Sequence, residues 1–128
     1  MVDNMLGMAH IGIPTKNIEK TKEFYNSLGF KVLMKTFNEE AKEKVAFLQL
    51  KDIVLETYET LNVAEKSGAI DHIAISVDNI EEVFTKIKGN GYCLLHDSIQ
   101  YLPFWKNGVK FFMIKGPSEE KIEFCQKL

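Results

Sequence analysis

The chain has 128 residues, 45% of them hydrophobic and 27% charged, and a formal net charge of -2 at pH 7. That is enough chain to bury one core without disulfide staples, and the near-neutral balance gives no electrostatic case for nucleic acid or an anionic membrane as a partner. All 16 basic residues are lysine, so the sequence lacks the bidentate arginine fork that usually clamps carboxylates and phosphates. No apolar run approaches the roughly 20 residues of a membrane span, and the opening "MVDNMLGMAH" has no signal-peptide pattern, so the expected setting is the cytoplasm. Cys93 and Cys125 each sit in an apolar run and read as small buried hydrophobes rather than as a disulfide or a reactive pair.

In chain order, the first recognisable element is "AHIGIPTKNIEK", which begins at residue 9 and returns as "DHIAISVDNIEE" at residue 71. The matches His10/His72, Ile11/Ile73, Ile13/Ile75, Asn17/Asn79, Ile18/Ile80, Glu19/Glu81 and Gly29/Gly91 keep one constant offset, the mark of a duplicated module. Each copy predicts a strand followed by a helix. In the first, Ile18, Phe24, Tyr25 and Leu28 supply the apolar stripe and Gly29 the stop. The β-rich runs "FKVLMK", "VAFLQL" and "IVLETYE" follow, the last two joined by a tight turn at "KD".

In the second copy Ile73, Ile75 and Val77 alternate as a half-buried strand does, and Ile80, Val83, Phe84 and Ile87 fall on one helical stripe. Asp78 or Asn79 can cap that helix, and Gly89 or Gly91 can end it. The runs "GYCLL", "VKFFMIK" and "KIEFCQ" complete the module, with the long connection "HDSIQYLPFWKNG" carrying its extra length and "GPSEE" as a later turn. The expected organisation is α+β: one domain, 1–128, made of two tandem βαβββ modules at about 6–60 and 69–128 that form a curved, partly closed mixed sheet.

His10 and His72 open equivalent strands, and a second equivalence near the module ends pairs Glu56 of "VLETYE" with Glu123 of "KIEFCQ". Both glutamates lie in otherwise apolar strands, where a carboxylate must reach solvent or be held by a cation. Two imidazoles and two carboxylates, with positions left for water, suit one divalent metal ion, with Zn, Ni, Co, Mn or Fe as candidates. His96 has no repeat partner and reads as a surface or loop-anchoring histidine, with substrate contact as the lesser alternative.

"HIGIPTKNIEKTKEFYNSLGF", "DHIAISVDNIEEVFTKIKGNGY" and "VKFFMIKGPSEEKIEFCQ" resemble the vicinal oxygen chelate superfamily, the glyoxalase/bleomycin-resistance/dioxygenase fold, from Met8 to about Gln126. The order His10, Glu56, His72, Glu123 is that of the metal ligands of glyoxalase I, lactoylglutathione lyase. Fosfomycin-resistance transferases and extradiol dioxygenases use two His and one Glu, and methylmalonyl-CoA epimerases carry Gln at the position of Glu56. The resemblance implies a metal-dependent lyase or isomerase that moves a proton through a metal-bound enediolate on a hemithioacetal-type substrate. Ni or Zn is the leading metal, Glu123 the proton shuttle, and Glu56 a ligand or opposite-face base. It also implies a homodimer acting on a small molecule. In the long connection, Leu102, Pro103, Phe104 and Trp105 form an apolar cluster that reads either as a lid or wall over the substrate pocket or as packing over one end of the sheet or a dimer contact. Glutathione-using members hold that molecule's carboxylates with arginines, and this chain has none, so the thiol is left open. The alternatives are an epimerase of the methylmalonyl-CoA type and a non-catalytic small-molecule binding or resistance protein on the same fold.

Overall fold

The structure, a computed structural model, describes residues 2–4 and 6–128; Met1 and Met5, part of the stretch read for a targeting signal, lie outside the described residues. The chain divides into two compact units, Met1–Val63 and Ala64–Leu128. Among the described residues no helix is long and apolar enough to cross a membrane.

The first unit runs β1 (Ile11–Thr15), α1 (Ile18–Ser27), β2 (Lys31–Asn38), β3 (Glu43–Leu50) and β4 (Ile53–Glu59), the βαβββ order expected from the sequence. Its sheet is mixed, in the order β1-β4-β3-β2, with β1 parallel to β4 and the other pairs antiparallel. Lys51 and Asp52 form the two-residue turn between β3 and β4, and Lys51 takes a left-handed φ of 54° there. One face packs on α1: Ile13, Ile18, Tyr25, Phe30, Leu48 and Leu55 are buried. The helix buries Ile18, Thr21 and Tyr25, while Phe24 and Leu28 of the expected stripe are only half-buried. Thr21 can lie in the core because its hydroxyl donates to Thr15 Oγ1 at 2.8 Å, so a polar residue is satisfied without water.

The second unit runs β5 (His72–Ser76), α2 (Ile80–Gly89), β6 (Cys93–Leu94), β7 (Gln100–Leu102), β8 (Val109–Lys115) and β9 (Lys121–Lys127). Its sheet follows β5-β9-β8-β6, with β7 also on β8, and again only the β5–β9 pair is parallel. The core on the α2 side holds Ile80, Ile87, Phe112, Ile114, Ile122 and Phe124, with Phe84 edge-on to Phe112 at 5.0 Å. The single strand expected at "GYCLL" is two residues long here, and a second short strand, β7, lies inside the expected loop. Both pair with β8, so the extra residues of this module interrupt one edge strand rather than simply lengthening a turn. This corrects the reading of Cys93 as buried: on a two-residue edge strand, opposite Lys115, it is exposed, and both cysteines are free thiols.

Both helices start the same way. Asn17 Oδ1 accepts the Lys20 amide at 3.1 Å and Asn79 Oδ1 accepts the Glu82 amide at 3.2 Å. The first helical amides are taken from further away: Ile18 N–H donates to Glu59 Oε2 at 3.0 Å, and Ile80 N–H to Gln126 Oε1 at 2.8 Å. Glu59 lies three residues after Glu56, and Gln126 three after Glu123. Each closing strand is thereby tied to its helix on one face while its glutamate is presented on the other.

Candidate metal centre

In the first unit β1 and β4 lie side by side and parallel, which sets Gly12 opposite Glu56. His10 stands two residues before Gly12, just ahead of β1, and its Nε2 comes 3.4 Å from Glu56 Oε1. Antiparallel pairing with β3 puts Phe47 on the other side of Glu56, and the His10 ring meets the Phe47 ring edge-on at 5.5 Å. Glu56 therefore sits on the face away from α1, half-covered by an aromatic ring and an imidazole, with 28% of its side chain exposed. Gly12 is not needed for space: a Cβ there would meet Tyr58 Cε1 at 3.7 Å and Glu56 Oε1 at 3.9 Å, ordinary contact. The second unit indeed carries alanine, Ala74, at this position.

The second unit repeats the construction. Ala74 lies opposite Glu123 on β9, His72 stands two residues before it, and His72 Nε2 is 3.7 Å from Glu123 Oε1. Met113 of β8 flanks Glu123 where Phe47 flanks Glu56. Only 17% of the Glu123 side chain is exposed, and the Cys125 thiol two residues on shares its face of the strand. Burial first, and then the negative charge of Glu123, push that thiol's pKa up.

One feature of this unit has no counterpart in the first. Asp71 Oδ2 accepts from His72 Nδ1 at 2.9 Å, and Lys121 Nζ donates to Asp71 Oδ1 at 3.2 Å. The hydrogen bonds from His72 and then from Lys121 hold the Asp71 carboxyl below its ordinary pKa. Asp71 and Lys121 are functional candidates that residue type alone does not mark; their only sequence signal is the asymmetry of the repeat, "DH" against "AH".

His96 anchors its loop, as expected, and does so at the break between β6 and β7. There Met113 N–H donates to His96 Nδ1 at 3.1 Å, while Leu95 N–H donates to the Met113 carbonyl at 2.8 Å. The imidazole replaces the strand carbonyl that the interruption removed, and its ring packs edge-on to Phe111 at 5.7 Å. Phe104 and Trp105 lie in the turn between β7 and β8 and are 56% and 67% exposed. Trp105 holds a left-handed φ of 64°, and Lys127 Nζ rests 3.8 Å from the centre of its ring. Gly108 ends this turn at a left-handed φ of 94°, which favours glycine, and a Cβ there would have to push aside the exposed Tyr101 ring, 2.5 Å away.

The structure thus brings His10 to Glu56 and His72 to Glu123, one pair in each unit. Among the described residues no group of three or more His, Cys, Asp or Glu gathers as a ligand cluster, so each unit by itself holds a single His–Glu pair. The donor atoms fit a metal: nitrogen and oxygen ligands about 2.1 Å from a tetrahedral ion stand about 3.4 Å apart. Separations of 3.4 and 3.7 Å match that spacing and exceed a normal N–H···O bond.

Comparison with known proteins agrees with this architecture. The family model for the Glyoxalase/Bleomycin resistance protein/Dioxygenase superfamily matches residues 7–124. The uncharacterized protein YwbC of Bacillus subtilis (strain 168) is 30% identical over 125 residues, covering 92% of this chain and 95% of that one. A glyoxalase family protein from Enterococcus faecalis superposes with a TM-score of 0.79 at 24% identity, covering 94% of this chain and 97% of that one. The fosfomycin resistance protein FosX from Listeria monocytogenes, in complex with Mn(II) and sulfate, gives a TM-score of 0.74 at 15% identity, with 97% and 94% covered. With the family model spanning almost its whole length, the chain belongs to the glyoxalase/bleomycin resistance protein/dioxygenase superfamily.

Proposed function

We propose that the protein is a metal-dependent lyase or isomerase of the glyoxalase I type, acting on a small molecule with two neighbouring oxygens, a hemithioacetal in the leading case. His10, Glu56, His72 and Glu123 serve one divalent ion, Ni or Zn first, with Co, Mn and Fe as further candidates. The observation that carries this reading is the His–Glu pair built twice at the same register, with N···O separations of 3.4 and 3.7 Å. FosX, a neighbour in fold, was solved with Mn(II), which supports a divalent metal on this scaffold.

When bound, the metal would polarise a substrate carbonyl and offset the negative charge left when the adjacent carbon loses its proton. Glu123 takes that proton and returns it to the neighbouring carbon, a role that suits a carboxylate with little water around it. Glu56 acts as ligand or as the base on the opposite face. Phe104 and Trp105 form an apolar wall that keeps water from the carbanionic substrate. The lysines, such as Lys16, supply point charges for anionic substituents in place of arginine forks. The working form is a cytoplasmic homodimer.

Assays of the Ni- and Zn-loaded protein against hemithioacetals of several thiols, with acyl thioesters alongside, test the reading. Turnover of a hemithioacetal, lost in Glu123→Gln assayed with enough added metal to fill its weakened site, is expected. Turnover of acyl thioesters alone would move the protein to the epimerase class, and metal-loaded protein inert to both would remove the isomerase reading.

A further inference from the structure

The two His–Glu pairs share register and differ in what stands behind the histidine. His72 Nδ1 faces Asp71 Oδ2 at 2.9 Å, and Asp71 is itself held by Lys121, which lies directly opposite His72 across the β5–β9 ladder. A carboxylate only accepts, so this contact requires the proton on Nδ1 and leaves the Nε2 lone pair turned to Glu123. His10 has Ala9 in place of Asp71, and among the described residues the polar contact of its ring is Nε2 to Glu56 at 3.4 Å. A carboxylate beside Nε2 favours a proton there, which must leave before that nitrogen can accept a metal.

We infer that Asp71, fixed by Lys121, is a positioning residue that sets the Nδ1–H tautomer of His72 and thereby makes the His72–Glu123 pair the preorganised half of the metal site. The inference deepens the metal reading above and rests on it for its consequence, but its physical content is the state of one imidazole in protein without metal. The asymmetry traces to one difference between the repeats, alanine at 9 against aspartate at 71. An oriented histidine loses less freedom on binding and is a more basic ligand, the general effect of a carboxylate behind a metal-bound imidazole.

Long-range proton–nitrogen correlation spectra of metal-free protein, labelled with nitrogen-15 at histidine and held in mildly alkaline buffer, read the tautomers directly. The expected result is a protonated Nδ1 and an unprotonated Nε2 at His72. That state is lost in Asp71→Ala and retained in Asp71→Asn, whose amide oxygen can still accept, while the His10 signals stay unchanged in both. A His72 tautomer that is mixed in the unmodified protein, or the same in Asp71→Ala, would overturn the inference. A parallel titration with Ni(II) alone should show Asp71→Ala binding about 10- to 100-fold more weakly; equal affinity would also overturn it. If the unmodified protein takes up no Ni(II), the metal reading fails, and the tautomer spectra still decide the role of Asp71.

Discussion

Glu56 and Glu123 occupy the same register position in their two sheets. Each lies opposite the residue two beyond a histidine, Gly12 in one unit and Ala74 in the other. Each is followed three residues later by a side chain that accepts the first amide of the unit's helix, Glu59 or Gln126. A one-residue slip of either closing strand would turn its glutamate towards the helix and break this tie, so the fold and the His–Glu geometry are fixed by the same bonds.

The core face of β4 holds an uncompensated polar group. Thr57 is 1% exposed, and its Oγ1 is buried without a hydrogen-bond partner among the described residues. Thr57→Val keeps the shape and removes the orphan hydroxyl, so urea unfolding should show a gain of about 1 kcal/mol. A loss of similar size would mean that the hydroxyl has a partner.

In the second unit, Lys110 Nζ meets Glu81 Oε1 at 2.8 Å, linking β8 to the first turn of α2. That hydrogen bond, and then one from the backbone of Glu81, lower the Glu81 carboxyl below its ordinary 4.5. A carboxyl with a depressed pKa in the folded state adds stability above its unfolded value and loses it as pH falls through the folded value. Stability should therefore decline as pH drops below about 4.5, and Glu81→Gln should flatten that part of the profile. The effect is small because the pair is solvated, so a difference curve against the unmodified protein is the measurement that checks it.

His96 stands in for a missing strand carbonyl at the Met113 amide. In hydrogen exchange, the Met113 amide should be protected in the unmodified protein and in His96→Asn, whose side-chain oxygen can accept. It should exchange roughly tenfold faster in His96→Ala, as expected for the loss of about 1.4 kcal/mol of local hydrogen bonding. Unchanged exchange in His96→Ala would show that the β6–β7 break is closed by other means.

Much of this structure is legible in the sequence because duplication writes it twice. The strands at "IVLETYE" and "VKFFMIK" coincide with β4 and β8, and of the two cap candidates Asp78 and Asn79 the structure uses Asn79. Both histidines and both glutamates were visible for the same reason: a polar residue recurring at an equivalent place in an apolar strand is hard to explain by packing alone. What the repeat hides is whatever breaks it. β7 lay inside a segment without strand periodicity and forms because β8 offers it an unpaired edge. Thr21 took a core position that an apolar stripe would give to Phe24, since only the partner hydroxyl of Thr15 makes burial affordable. Asp71 and Lys121 are far apart in sequence and meet only through the parallel β5–β9 pairing. Cys93 looked buried in an apolar run, and two residues of edge strand leave it in solvent.

The central claim is that His10, Glu56, His72 and Glu123 serve one divalent metal ion. Calorimetric titration of Ni(II), then Zn(II), into chelator-stripped protein tests it most directly, beside the Glu56→Gln/Glu123→Gln double variant. The account predicts about one ion per chain in the unmodified protein. It predicts affinity reduced more than about 100-fold in the variant, since losing even an outer-shell partner costs about 10- to 100-fold. No uptake by the unmodified protein, or equal uptake by the double variant, would contradict it.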